Sequence, residues 1–146
     1  TAFYDLDHII ESRHGSIASI FERGEPEFRG REFEAISHLF ETENRGVIAL
    51  GGGAVTHSPT AELLGRNAYT IFLNVPLERI QTRLRKSHTV RPLAGDDPDP
   101  RSIAALYAQR LPQYRKADLT VDTRGRSNRE IVGAITAWMK AQSITL

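Results

Sequence analysis

Two aspartates, Asp5 and Asp7, follow the short apolar and aromatic stretch Ala2-Phe3-Tyr4 with one residue between them. Alternate side chains of an extended strand share a face, so the two carboxylates point the same way if the strand runs through them. Such a pair at the carboxyl end of a strand suits a divalent cation, or one base beside one metal anchor. It equally suits a plain helix start, with Asp7 capping a turn over residues 8–13. Further on, Arg29 and Glu32 stand three residues apart, which makes them neighbours on a helix face. An arginine fork holds a carboxylate or a phosphate through two hydrogen bonds, although spacing alone favours a solvated surface pair here. Gly51-Gly52-Gly53 comes directly after the apolar run Val47-Ile48-Ala49-Leu50. Three residues without side chains at the end of a strand let a ligand approach the backbone. Arg91 lies in a run over residues 88–100 that holds three prolines, a glycine and three acids, the composition of a lid. A lid arginine can close onto phosphates and stabilise charge in a transition state.

The elements that must position these groups alternate between strands and helices. Residues 2–5, 47–50, 69–75 and 119–122 read as strands, the last three as buried strands of a parallel sheet. Between them, Ser16 caps a helix with Ile17, Ile20 and Phe21 on one face, and Gly24 ends it. Pro26 starts a helix whose Phe33, Ile36 and Phe40 face the core. Ser58-Pro59 opens another through Leu64, and Pro76 opens one with Leu77, Ile80 and Leu84 in line. Arg79, Arg83, Arg85 and Lys86 surround that line and read as a solvated face. Residues 101–116 form a helix carrying Ile103, Leu106, Arg110 and Tyr114. After the turn at residues 123–126, Ser127 and Glu130 have the spacing of a capping box, and Ile131, Ile135, Trp138 and Met139 continue a core stripe. Strand–helix alternation of this kind implies an α/β domain with a parallel sheet.

Composition narrows the function classes. The chain has 146 residues, 40% hydrophobic and 25% charged, which fits one soluble globular domain over residues 1–146. A net charge of +1 provides no field toward nucleic acid or membrane. The absence of cysteine removes disulfides, thiolate catalysis and cysteine zinc sites. No apolar run approaches the ~20 residues of a membrane span. A cytoplasmic location and a monomer are the expectations.

In order along the chain, these motifs resemble those of shikimate kinases. The resemblance is carried by Phe3-Tyr4-Asp5-Leu6-Asp7 with Ile10-Glu11, by Phe28-Arg29-Gly30-Arg31-Glu32, and by Leu50-Gly51-Gly52-Gly53-Ala54-Val55. Val90-Arg91-Pro92-Leu93, Arg110 with Tyr114 and Ala117, and Val121-Asp122-Thr123 complete it. It implies transfer of the ATP γ-phosphate to the 3-hydroxyl of shikimate. It further implies Asp7 as base on the substrate hydroxyls, Arg29 and Arg110 on the shikimate carboxylate, and Glu32 orienting the pocket. Gly51, Gly52 and Gly53 would offer backbone contacts, Asp5 would help to hold Mg²⁺, and Arg91 would reach the ATP phosphates. Arg83 or Arg85, with the turn at residues 123–128 that holds Arg126, would lie near the nucleotide.

The implied fold is a three-layer, P-loop kinase-like parallel sheet of five strands in the order 2-3-1-4-5. A Gly-x-x-x-x-Gly-Lys-Ser/Thr phosphate loop does not occur in the sequence, and in the family it precedes the aspartate pair. The chain is therefore expected to be N-terminally incomplete, with its four strands forming two half-sheets that have bare apolar edges. A non-catalytic shikimate-binding remnant and a gluconate-type kinase are the alternatives.

Overall fold

The structure, a computed structural model, describes residues 1–43, 45–86 and 99–145. The lid expected over residues 88–100, with Arg91, thus falls almost wholly outside the described residues. The chain divides into two compact units, residues 1–68 and 69–145, each built on one two-stranded parallel sheet. The expected α/β class with parallel pairing is therefore present, and the four strands form two half-sheets.

In the first unit, β1 (Phe3–Asp5) pairs with β2 (Val47–Ala49), Tyr4 opposite Ile48. Gly46 leads into β2 beneath the Tyr4 ring, where an added Cβ would come within 2.6 Å of a ring carbon. Helix α1 (Leu6–His14) leaves β1 directly, with Asp5 as its N-cap, and stops at Gly15, whose φ of 87° only glycine adopts readily. The strand therefore ends at Asp5, as the sequence suggests, and the helix begins two residues earlier than expected. Asp7 is helical, and the expected shared strand face of Asp5 and Asp7 does not exist. Residues two apart on a helix do not face each other.

Ser16 caps α2 (Ile17–Phe21) as expected, accepting a bond from the Ser19 backbone N–H at 3.2 Å. Helix α3 (Glu25–Thr42) is the longest element and buries Phe28, Arg29, Glu32, Ala35, Ile36 and Leu39. Of the predicted stripe only Ile36 is fully buried, and Phe33 and Phe40 are half-buried at its margin. The observed stripe runs one position over and includes two charged residues, which an apolar pattern does not count. Leu6, Ile10, Ile20, Phe28, Ala35, Ile36, Leu39 and, from α4 (Ser58–Asn67), Leu64 form the core.

In the second unit, β3 (Ile71–Asn74) pairs with β4 (Leu119–Asp122), Leu73 opposite Val121. Asp118 fixes this register: its Oδ2 accepts from the Thr70 backbone N–H at 2.7 Å and from the Thr70 hydroxyl at 2.8 Å. The helices are α5 (Leu77–Lys86), α6 (Pro100–Tyr114) and α7 (Asn128–Ala141). The capping box predicted for Ser127 and Glu130 is complete, with both reciprocal bonds formed. The α7 stripe packs without full burial, and Trp138 meets Tyr69 edge-on at 5.8 Å.

The expectation that the strands after β1 are buried is corrected. Val47, Ile71 and Leu73 are exposed, and of the three strands only Val121 is buried. Among the described residues each strand has a hydrogen-bonded neighbour on one edge only, so none is enclosed in the way a central strand of a larger sheet is. Among the described residues, no helix is long and apolar enough to cross a membrane.

Candidate functional site

Three elements of the first unit converge at the carboxyl end of its sheet: the first turn of α1, the first two turns of α3, and the glycines after β2. Asp7, in that turn of α1, is half-buried and its Oδ1 is inaccessible to solvent. Arg29 and Glu32 sit on the core-facing stripe of α3 and are bonded to each other through Nη1 and Oε2 in a short contact. The pair is not the solvated surface pair that spacing favours: Arg29 is 6% exposed and Glu32 is fully buried. A buried ion pair is costly to assemble, because both charges leave water. An arginine and a glutamate that occupy core positions without being core residues therefore point to a use for the charge.

The glycines make room for these side chains. A Cβ at Gly51 would lie 3.1 Å from Glu32 Oε1 and 3.3 Å from Asp7 Oδ1. At Gly53 it would overlap the Arg29 guanidinium, 2.6 Å from Cζ and 2.8 Å from Nη1. Neither glycine has a positive φ, so it is close approach, and not backbone conformation, that requires glycine at these positions. Gly52 between them is exposed. The fold thus brings Asp7, Arg29, Glu32, Gly51 and Gly53 to one place, across more than forty residues of chain.

Sequence reasoning missed Glu25. Its Oε1 accepts from Arg29 Nε at 3.1 Å and from Nη2 at 2.9 Å. The available signal was its position four residues before an arginine on a helix, the favourable order for an acid–base pair. Arg29 also lies over the Phe28 ring, with Cζ 5.3 Å from the centroid.

The other predicted residues fall elsewhere. Asp5 is exposed, and its Oδ1 accepts from the His8 backbone N–H at 3.2 Å as the cap of α1. Capping, which the sequence offered as a role for Asp7, belongs to Asp5. A Mg²⁺ ion that arrives with nucleotide phosphates needs only one or two protein carboxylates, so an exposed carboxylate at a strand end has suitable chemistry. Among the described residues no group of three or more possible metal ligands occurs. Arg110 on α6, Arg83 on α5 and Arg126 in the turn before α7 belong to the second unit. Arg110 is half-buried, and Arg83 and Arg126 are exposed.

A parallel α/β scaffold with a carboxylate, a buried arginine and closely approached glycines at a strand end belongs to the class of small-molecule-binding α/β enzymes. Comparison with known proteins defines the class further. The family model for shikimate kinase matches residues 1–140. The shikimate kinase of Geobacter metallireducens is 38% identical over 142 residues, covering 96% of this chain and 78% of the relative. That of Geobacter sulfurreducens is 41% identical over 140 residues, covering 94% and 76%. Among solved structures, shikimate kinase from Acinetobacter baumannii in complex with shikimate superimposes with a TM-score of 0.85 at 31% identity, covering 99% of this chain and 81% of that one. The enzyme from Bacteroides thetaiotaomicron gives 0.80 at 30% identity, covering 99% and 85%. The chain belongs to the shikimate kinase family.

Proposed function

We propose that this protein transfers the γ-phosphoryl group of ATP to the 3-hydroxyl of shikimate, and that the Asp7–Arg29–Glu32–glycine cluster is its acceptor pocket. The observation that carries this reading is the buried Arg29 against Gly53, with Asp7 against Gly51 of the same glycine turn. Shikimate offers one carboxylate and three hydroxyls. A guanidinium matches the carboxylate through paired N–H donors, and Arg110 is assigned as a second donor to it. Asp7 accepts a hydrogen bond from the hydroxyl that will attack and takes its proton as the new P–O bond forms and the bond from the γ-phosphorus to the bridging oxygen breaks, ADP leaving. Glu32, fully buried and bonded to Arg29, fixes the direction of the fork. Gly51, Gly52 and Gly53 let the sugar-like ring rest against backbone.

Phosphoryl transfer requires positioning and charge neutralisation more than covalent help from the protein. Asp5 is the carboxylate that would hold a Mg²⁺ ion arriving with ATP, and the ion would supply neutralisation of phosphate charge. Arg91, outside the described residues, is assigned to the phosphates, and Arg83 and Arg126 to the nucleotide.

The test is a coupled ADP-release assay with shikimate, paired with calorimetry. Asp7→Asn is expected to lower kcat by roughly 10²–10⁴-fold with little change in shikimate affinity. Arg29→Ala is expected to lose shikimate binding first. Full turnover in Asp7→Asn would remove the base assignment.

A further inference from the structure

Arg29 is held along two edges by carboxylates of unlike freedom. Glu32 takes Nη1 and is fully buried. Glu25 takes the Nε–Nη2 edge with a single oxygen, and 44% of its side chain is exposed. Separating Arg29 from Glu32 would strand a charge in the interior. Separating it from Glu25 returns a carboxylate to water that it already touches, and such pairs are weak. Glu25 also stands in the first turn of α3, where a released carboxylate stays favourable beside the helix N-terminus. A guanidinium grips an incoming carboxylate through two parallel N–H bonds along one edge. With Nη1 given to Glu32, the Nε–Nη2 edge is the two-donor edge that remains, and Glu25 occupies it with one oxygen where a bidentate ligand would use two.

We infer that Glu25 is a displaceable placeholder for the acceptor's carboxylate. It balances the buried guanidinium while the pocket is empty, and it swings out as the substrate carboxylate takes the Nε–Nη2 edge. Glu25 therefore competes with the substrate, and affinity is lower than Arg29 alone would give. Without the swing, an anionic acceptor would meet Glu25, Glu32 and Asp7 around one arginine. The inference rests on the assignment of Arg29 to the shikimate carboxylate.

Full-length protein is compared with Glu25→Gln, which removes the charge, and Glu25→Asp, which keeps it on a shorter arm. Steady-state kinetics and calorimetry are read together, with thermal melts to verify folding. Glu25→Gln is expected to lower KM and Kd for shikimate by about three- to five-fold, the scale of a partly exposed ion pair, with kcat changing less than KM. Glu25→Asp, folded in the event that the glutamine variant is not, is expected to shift both constants the same way by less. A residue that merely braces Arg29 gives the opposite sign. Raised or unchanged constants in these variants, with Arg29→Ala still losing shikimate, overturn the inference alone. Wild-type affinity in Arg29→Ala removes the Arg29 assignment and the inference with it.

Discussion

The two halves of the chain use a parallel strand pair for different ends. In the first, the longest helix places Arg29 and Glu32 on its core-facing stripe, and glycines at the strand end make room for them. In the second, the described residues that are buried are Ile103, Val121 and Thr123, with no charged residue among them. Its polar side chains settle local geometry, most of them at the surface and Thr123 in the interior. Asp118 pins Thr70, the Thr123 hydroxyl donates to the Asn74 carbonyl at 3.1 Å, and Ser127 and Glu130 close the start of α7. The same kinds of residue thus do two jobs, and burial tells them apart. A bond at an exposed cap repays its own small cost, whereas a buried charge must be maintained by everything packed around it.

The sharpest way to break that contrast is to remove one member of the buried pair. Glu32→Ala leaves the Arg29 guanidinium in the interior without its buried counter-ion, and is expected to cost about 3–5 kcal/mol of stability in denaturant unfolding. The double change Arg29→Met with Glu32→Leu is expected to recover most of that loss while shikimate binding stays absent. A double variant as unstable as the single one would mean that the pair holds the fold and not only the ligand.

Next in size is Gly53→Ala. Its Cβ would enter the space of the guanidinium, so Arg29 must move or the 3-10 turn at Ala54–Thr56 must shift. Overpacking of this kind costs about 1–3 kcal/mol, and shikimate KM is expected to rise more than stability falls. Gly51→Ala, with its nearest neighbours at 3.1 and 3.3 Å, is expected to be the milder of the two. The reverse order in KM would move the ligand away from Arg29.

The second half makes its own pH prediction. Hydrogen bonds from Thr70, the backbone N–H foremost, hold the Asp118 carboxyl below its ordinary value against a smaller opposing effect of burial. Its folded pKa is thus below the unfolded value of about 3.9, so its contribution is complete above that value and is lost as pH falls through the folded one. Thermal melts of Asp118→Asn against wild type are expected to converge toward acid pH and to separate at neutral pH. Curves that stay parallel would show that the Thr70–Asp118 link does not couple to folding.

How much of this is legible in the sequence depends on whether the signal is local. The Ser16 cap, the Ser127–Glu130 box and the β4 limits are set by neighbouring residues, and the structure places them where the pattern does. Asp7, Arg29, Glu32 and the glycines were marked by residue type and order. Their gathering at one strand end supports reading them together. What stayed hidden depends on neighbours distant in sequence. Strand burial needs to know what lies on both edges, so Val47, Ile71 and Leu73 were misjudged as enclosed. The burial of Arg29 and Glu32 defeats any rule that counts only apolar residues, and it moved the α3 stripe off Phe33 and Phe40. The change from strand to helix at Asp5 turns on a capping bond that either aspartate could have made.

Gly30 offers the finest test, because it follows Arg29 on the same helix yet faces away from the core. It is exposed, and an added Cβ would meet no described atom within 4 Å. A glycine inside a helix loses more backbone freedom on folding than alanine does, so Gly30→Ala is expected to stabilise the protein by about 0.5–1 kcal/mol. Shikimate KM is expected to stay at the wild-type value, since the new methyl group enters solvent and leaves the Arg29 fork alone. If Gly30→Ala instead raised KM, the outer face of α3 would belong to the working surface, and the division between a charged inner stripe and an idle outer one would fail on the helix that defines it.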